Sequence, residues 1–147
     1  MSTTQPATVA DIMIRDVVTL RAEQSLHDGN ELMREHRIRH LPVLNDQGQL
    51  VGLLNQKVVL RESLRIADGY GTRRLNHHLD QVPLEDVIIR DVTTLQAEVP
   101  LAEAGAQLLT SRQGAMPVLD NEGHLIGIVS SVDFVRLAVQ LLDTDRV

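Results

Sequence analysis

The sequence predicts an α/β fold made of two similar units in tandem. Residues 11–61 and 86–136 align without a gap at a constant offset of 75, which places Pro42 opposite Pro117. In both stretches, short apolar runs rich in β-branched residues alternate with longer helical patterns. Units of about 55 residues are only marginally stable alone, so we expect the two to fold together.

Both repeats have the same order of elements: strand, helix, two-stranded hairpin, helix. Ser25 provides an N-cap for the first helix, and the turn-forming run Asn45–Gly48 separates the strands of the first hairpin. In repeat 2, Pro100 suits the first helical position because its missing N–H would be unpaired there. The predicted elements are a strand over 16–20, a helix over 26–36, a hairpin over 41–54 and a helix over about 56–66, then a strand over 92–95, a helix over 101–111, a hairpin around 120–123 and a helix over about 131–142.

These elements divide the chain into four predicted segments. Residues 1–8 form a disordered leader, residues 9–67 the first repeat, residues 68–83 a linker and residues 84–147 the second repeat. The duplication does not extend into the linker.

Composition excludes several classes of protein. Aromatic residues make up only 1% of the chain, which argues against binding of single-stranded nucleic acid by base stacking. The net charge of −6 argues against a general binder of the phosphate backbone. There is no cysteine, no apolar run near the roughly 18 residues of a membrane span, and no signal-peptide pattern at the start. We therefore expect a cytoplasmic protein that binds neither nucleic acid nor membrane.

The candidate site is the junction of the last predicted strand and the last helix. Ile128 lies in the strand, Ser130 ends it, and Asp133 lies one turn inside the helix, whose N-terminus favours an anion. The Ser130 hydroxyl can donate a hydrogen bond, and the Asp133 carboxylate offers two acceptors for hydroxyl donors. Ser-x-x-Asp at a helix start is also close to a capping box, which stabilises a helix without any ligand. One residue can serve both roles.

This tandem order, with its apolar-Pro-Val strand, Asx/Gly turn and Gly-apolar-apolar-Ser-x-x-Asp helix start, resembles the CBS domain, named after cystathionine β-synthase. Two copies resemble a CBS pair, or Bateman module, from Val9 to Leu142. The resemblance implies an α/β (α+β) fold of two pseudo-twofold-related β-α-β-β-α repeats packed through their sheets. It also implies regulatory binding of AMP, ADP, ATP or S-adenosylmethionine in a cleft between the repeats, and formation of a homodimer.

The resemblance assigns roles to individual residues of the Asp133 site. Asp133 anchors the ribose, while Ile14 and Val17 belong to a leading segment that crosses over to cover the base. Repeat 1 departs from this pattern, because Asn55 stands opposite Ser130 and Val58 opposite Asp133. Since valine accepts no hydrogen bond, we predict one competent site, with its counterpart empty or weaker.

In CBS pairs the residues just before the first hairpin strand also line the cleft. This places Arg39 and His40 where they can reach phosphates, although basic residues at a helix C-terminus also complement its dipole while staying solvated. The matching Gly114 and Ala115 are small and would expose backbone groups to an adenine edge, and Met116 fills the core or the cleft.

Other residues offer little chemistry. His77, His78 and Asp80 suggest a metal site, but neighbouring side chains point in different directions, so a solvated linker is the competing interpretation. The sequence shows no nucleophile with a recognisable base, no Gly-rich phosphate loop and no pair of acidic residues at positions that indicate catalysis. We therefore predict a non-enzymatic protein that requires no cofactor.

Two functions remain open. One is a sensor of an adenosine nucleotide that changes its own conformation or that of a regulated protein in trans; the sequence specifies neither the ligand nor the partner. The other is a ligand-independent homodimerisation module with vestigial clefts. The proposed dimer stripe on the last helix comprises Phe134, Leu137, Ala138, Leu141 and Leu142.

Overall fold

The computed structural model describes residues 5–143, apart from the side chain of Tyr70. These residues form two compact units. One unit is Val18–Val92, and the other combines residues 5–17 with residues 93–143. The opening residues of each sequence repeat therefore belong to the unit that holds the rest of the other repeat.

The predicted α/β class is confirmed. The elements are α1 (Val9–Ile12), β1 (Leu20–Arg21), α2 (Leu26–His36), β2 (His40–Leu44), β3 (Leu50–Asn55), α3 (Gln56–Tyr70), α4 (Leu75–Asp80), a 3-10 helix (Leu84–Asp86), α5 (Leu101–Ser111), β4 (Ala115–Leu119), β5 (Leu125–Ser130) and α6 (Ser131–Asp143). In the first unit, β1 is parallel and β3 antiparallel to the central β2. In the second unit, β4 and β5 form an antiparallel pair.

Helices α2 and α5 have the predicted bounds because local signals fix both. The Ser25 hydroxyl oxygen accepts a hydrogen bond from the Asp28 amide at 3.2 Å, and the Asp28 carboxylate accepts one from the Ser25 amide at 3.0 Å. This capping box starts α2. Arg37 ends α2 and Arg112 ends α5, each with a left-handed backbone (φ 55° and 60°) that breaks the helical hydrogen-bond pattern.

The predicted first strand of each repeat is shorter in the structure. β1 begins only at Leu20, where it pairs with Val43. The predicted strand over 92–95 is reduced to a single parallel bridge between Leu95 and Val118. A side chain replaces the missing strand pairing, because both backbone polar groups of Thr93 are hydrogen-bonded to Gln113.

The predicted linker belongs to the folded unit Val18–Val92. α3 continues past its predicted end, and α4 lies wholly within the linker. Leu75 and Leu79 are four residues apart and face the same side of α4, and Leu79 is fully buried in the core. The Ser25 hydroxyl also donates to the Asp80 carboxylate at 2.8 Å, which joins α4 to the start of α2.

Each unit has its own aliphatic core. The buried cluster of Val18–Val92 comprises Leu20, Leu26, Met33, Leu41, Val43, Leu54, Val58, Val59, Ile66, Leu79 and Leu84. The buried cluster of the other unit comprises Val9, Met13, Leu95, Ala104, Leu108, Met116, Val118 and Val129. Aliphatic side chains therefore supply the hydrophobic stabilisation in both units.

The N-terminal segment is anchored to the second unit. Residues 1–4 of the predicted leader lie outside the described part of the chain, but Ala7 accepts a hydrogen bond from the Leu101 amide at 3.1 Å. The Asp11 carboxylate accepts from the amides of Ala7 and Thr8 at 2.8 and 2.9 Å. These bonds favour the charged form and hold the pKa of Asp11 below its ordinary value of 3.8. Backbone anchoring thus begins before residue 9.

After α1, the chain lies against β5. Ile14 and Ile128 exchange two backbone hydrogen bonds of 2.9 and 3.0 Å. A Cβ on Gly127 would lie only 2.6 Å from the Met13 sulfur and 3.1 Å from the Ile14 carbonyl oxygen. This close approach explains why glycine occupies position 127.

The same contact recurs in the unit Val18–Val92, at the offset of 75. Ile89 and Leu53 exchange two backbone hydrogen bonds of 2.9 Å. A Cβ on Gly52 would lie 2.5 Å from the terminal carbon of Ile88 and 2.9 Å from the Ile89 carbonyl oxygen. Each unit therefore extends its hairpin with the opening segment of the other sequence repeat.

Candidate functional site

The β5–α6 junction is held against the start of β4. Ser130 pairs with Ala115 in the β4–β5 register. The Ser131 amide donates to the Gly114 carbonyl at 3.0 Å, with the Ser131 hydroxyl at 3.4 Å from the same oxygen. Gly114, with φ 78°, turns the chain into β4. The predicted Ser130, Gly114 and Ala115 are therefore brought together at the N-terminus of α6.

Asp133 is the central charged group of this junction. Only 6% of its surface is exposed, and its Oδ2 atom accepts from the Ser130 amide at 2.8 Å and from the Ser130 hydroxyl at 3.1 Å. Its Oδ1 atom accepts from the Arg136 guanidinium at 3.3 Å. The amide contact is half of the predicted capping box, and the Ser130 hydroxyl is directed to Asp133.

This arrangement leaves the carboxylate with acceptor capacity. A carboxylate can accept about four hydrogen bonds, and the Asp133 carboxylate accepts three within the protein. The Arg136 side chain is 71% exposed, so it can leave Oδ1 for water without burying its charge. Asp133 can thus cap α6 through Oδ2 and accept hydroxyl donors through Oδ1.

The other predicted residues of this unit differ in exposure. Ile14 is 43% exposed and joined to the half-buried Ile128 by backbone hydrogen bonds, and Val17, three residues further along, is half-buried. Ala115 and Met116 are fully buried, and Met116 lies in the core cluster. Of the two uses expected for the Met116 side chain, core or cleft filling, the structure supports the core.

Arg39 and His40 lie in the other unit, Val18–Val92. The Arg39 carbonyl accepts from the Gln56 amide at 2.9 Å, and the Arg39 side chain is exposed. His40 is half-buried and pairs with Asn55 in the β2–β3 register. Arg39 is thus adjacent to the N-terminus of α3, as Gly114 is to that of α6, and carries a cation there.

The junction in the unit Val18–Val92 has the same backbone but different side chains. The Asn55 side chain caps α3 by accepting from the Val58 amide at 2.8 Å. Val58, opposite Asp133, is 4% exposed and belongs to the core cluster. The residue that matches Asp133 therefore offers no acceptor there.

His77 and His78 lie on α4 with ring centroids 5.7 Å apart in an edge-to-face arrangement. Across residues 5–143, no group of three or more histidine and acidic residues is arranged to hold a metal ion. In the same residues, no helix combines the length and apolar character needed to cross a bilayer.

Comparison with protein families identifies the repeat. The CBS domain model matches residues 9–65 and again residues 84–140. The chain belongs to the CBS domain family. Both matches begin with the opening segments that lie against β5 and β3, so these segments are part of the CBS repeat.

The CBS pair is also similar to part of longer proteins. It is 33% identical over 129 residues to homoserine O-acetyltransferase of Methanococcoides burtonii, covering 88% of this chain and 24% of that protein. The chain spans about a quarter of the length of the curated relatives it matches.

Two solved structures share the fold over nearly their full length. One is CBSX2, a CBS-pair protein of Arabidopsis thaliana, in complex with AMP: it is 26% identical, with a TM-score of 0.73, and the match covers 93% of this chain and 99% of that one. The other is the CBS domain pair of protein MJ0100 in complex with 5′-methylthioadenosine and S-adenosyl-L-methionine, with 23% identity, a TM-score of 0.76 and coverage of 92% and 99%.

Sequence reasoning missed two residues at the CBS junction. Arg136 reaches Asp133 from one turn further along α6. Gln113, 7% exposed, precedes Gly114 and has its side-chain amide fully engaged. The alignment of the repeats contained a signal for Gln113, because the apolar Ile38 occupies the matching position.

Proposed function

We propose that this CBS pair is a regulatory module that binds an adenosine-containing ligand at the β5–α6 junction. The observation that carries the proposal is Asp133, a buried carboxylate at a helix start whose Oδ1 atom keeps acceptor capacity. The AMP complex of CBSX2, a CBS pair of nearly the same length, supports an adenosine ligand.

In the proposed complex, the ribose hydroxyls donate to Asp133 while Ser130 keeps its hydrogen bond to Oδ2. The N-terminus of α6 favours an anionic group of the ligand. Ile14 and Val17 cover the base, Gly114 and Ala115 line its edge through their backbone atoms, and Ile128 contributes its half-buried side chain. Binding changes the population of conformations, because a ligand that prefers one arrangement stabilises it.

The identity of the ligand depends on charge. AMP, ADP and ATP carry phosphates, whereas S-adenosylmethionine carries a sulfonium cation, so Arg39 and His40 are proposed to favour the nucleotides. Replacement of Arg39 by alanine should weaken ATP binding more than adenosine binding. Equal effects on the two ligands, measured by calorimetry, would exclude a phosphate contact.

The module is proposed to act without chemistry of its own. The similar stretch in homoserine O-acetyltransferase is about a quarter of that protein, which supports a CBS pair that serves another activity. We propose a regulated protein as partner, a cytoplasmic location and no role for nucleic acid, membrane or metal.

The test compares two substitutions at equivalent capping positions. Asp133→Asn keeps an oxygen that can cap α6 but removes the charge, and Asp28→Asn makes the same change at the capping box of α2. A ligand at 100 times its dissociation constant should stabilise the wild type by about 2.7 kcal/mol. AMP, ADP, ATP and S-adenosylmethionine are added in turn, and thermal unfolding is followed.

We expect Asp133→Asn to weaken binding by at least about tenfold, since hydrogen bonds to charged groups contribute about 1.5–3 kcal/mol. Asp28→Asn should retain wild-type affinity. No stabilisation of nucleotide-free wild type by AMP, ADP, ATP or S-adenosylmethionine would refute the proposed function.

A second candidate, homodimerisation, is favoured by a specific pattern of exposure. Leu60 and Leu64 of α3 are 59% and 63% exposed, and the matching Val135 and Val139 of α6 are 61% and 59% exposed. Apolar side chains thus remain on the surface at the same positions of both repeats. We propose that these faces contact a second copy of the chain.

The exposed face of α6 differs from the predicted stripe. Phe134 packs against the core of its own unit, beside Gly105, and Leu137 is half-buried. The large exposed apolar residues of α6 are Val132, Val135, Val139, Leu141 and Leu142. Val135→Glu should therefore shift the sedimentation of a ligand-free sample towards the monomer, while Leu109→Glu, on the exposed face of α5, should not. Unchanged sedimentation of Val135→Glu would exclude α6 as the dimer face.

A further inference from the structure

Gln113 is a buried amide with every side-chain polar atom engaged. Its Oε1 atom accepts from the Thr93 amide at 2.7 Å. Its Nε2 group donates to the carbonyls of Thr93 and Ala115, both at 3.0 Å. Because a buried amide is costly unless it is hydrogen-bonded, this complete set of partners is needed for a glutamine at this position.

The matching position in the other repeat is apolar. Ile38 packs against the core cluster of Val18–Val92 and makes no side-chain hydrogen bond. The repeats thus differ in polarity both at this position and at the position of Asp133. The repeat with Asp133 has Gln113, and the repeat with Val58 has Ile38. A polar network therefore occurs in the repeat whose junction carries the carboxylate.

The bonds of Gln113 lead directly to the junction. Ala115, one of its acceptors, pairs with Ser130, which in turn donates to Asp133. Gly114, the next residue in the chain, accepts from the Ser131 amide at 3.0 Å. The side chain of Gln113 therefore fixes the strand on which the first residues of α6 are held.

We propose that Gln113 is a positioning residue for the adenosine site. By holding the Thr93 peptide and the Ala115 carbonyl, it sets the position of Gly114 and Ala115 relative to Ser130 and Asp133. The inference rests on the proposed function, because it concerns the affinity of that site. It adds to that function a residue that does not touch the ligand.

The main test replaces Gln113 by isoleucine, the residue of the other repeat. All three hydrogen bonds are lost, and we expect AMP to bind about tenfold more weakly, equivalent to about 1.4 kcal/mol. Val59→Ala is the control: Val59 is 5% exposed in the core of Val18–Val92, so the substitution lowers stability while leaving the junction intact. Affinity is measured by calorimetry at a temperature where all three proteins are fully folded.

Amide hydrogen exchange supplies a readout that a purely local contact would not change. The Ser131 amide is not bonded to Gln113, yet it should exchange faster in Gln113→Ile, because Gly114 is less firmly held. In wild type, AMP should also shift the NMR signal of the Gln113 side-chain amide. This measurement applies even if the variant fails to fold, and an unchanged signal in AMP-saturated wild type would overturn the proposal.

The outcomes separate the two proposals. If wild type binds AMP and Asp133→Asn does not, the proposed function stands; equal AMP affinity of Gln113→Ile and wild type would then overturn the positioning role alone. Gln113→Glu gives a second check, because it keeps the acceptor for the Thr93 amide and loses the donors to both carbonyls. Like Gln113→Ile, Gln113→Glu should weaken AMP binding. Failure of wild type to bind AMP or any other adenosine ligand would overturn both proposals.

Discussion

Replacing Gly127 by alanine tests the close approach of the opening segment to β5. The added Cβ would lie 2.6 Å from the Met13 sulfur and 3.1 Å from the Ile14 carbonyl oxygen. The methionine side chain can move aside, but that carbonyl accepts a hydrogen bond from the Ile128 amide at 3.0 Å. Relief of the contact therefore requires the backbone of the segment to shift.

The expected magnitude combines two effects. Overpacking a close contact costs about 1–3 kcal/mol. Replacing glycine by alanine inside a strand offsets about 0.5–1 kcal/mol of this through the lower entropy of the unfolded chain. We therefore expect Gly127→Ala to lower the free energy of unfolding by up to about 2.5 kcal/mol, and by about 1 kcal/mol at the middle of these ranges, as measured by urea denaturation.

Gly69→Ala is the matched control. No heavy atom lies within 4 Å of a Cβ at position 69, and the residue is within α3. This substitution should raise the free energy of unfolding by about 0.5–1 kcal/mol through helix propensity. If Gly127→Ala proved as stable as Gly69→Ala, the close approach of Met13 and Ile14 to β5 would be refuted.

Three further predictions concern single residues. Arg112→Gly should raise the melting temperature, because glycine adopts the left-handed backbone of position 112 without the cost of roughly 1 kcal/mol borne by other residues; a lower melting temperature would show that the Arg112 side chain stabilises the fold. Leu79→Ala should cost about 2–5 kcal/mol in urea denaturation, because the side chain is 1% exposed in the core; a loss below about 1 kcal/mol would place α4 outside it. Asp11 has a pKa below 3.8 in the folded protein, so its contribution to stability is present above the unfolded pKa and is lost as the pH falls through the folded pKa. Asp11→Asn should weaken this acid dependence of unfolding, and an unchanged pH profile would contradict the link.

The bounds of α2 and α5 were predictable because they depend on nearby residues. Ser25 and Asp28 lie next to the helix they start, and the bounds of α2 follow from them. The first strand of each repeat was predicted too long because strand pairing depends on distant partners. The pairing over 92–95 is largely taken over by the Gln113 side chain, about twenty residues away.

Helix α4, which lies between the two repeats, was not predicted for a related reason. The Asp-Gly-Tyr-Gly start of the predicted linker is typical of a loop, and the short repeat of Leu75 and Leu79 gives too weak a periodic signal to predict a helix. Burial of Leu79 stabilises α4, so tertiary packing rather than local preference forms this helix.

Part of the candidate site was predictable. Ser130 and Asp133 were recognisable from their spacing at a helix start, and the structure places them in direct contact. Arg136 and Gln113 were missed because their roles depend on which atoms the folded chain brings near them. The assignment of a ribose to Asp133 remains a prediction.

The opening segments have a consequence for dividing the protein into its repeats. β5 is bordered by residues from the start of the first repeat, and β3 by residues from the start of the second. A chain with a single repeat could border its own hairpin in this way only by taking the segment from another chain. Cutting the chain between the repeats would therefore separate both hairpins from their bordering segments and leave the edges of β3 and β5 open to pairing with another chain.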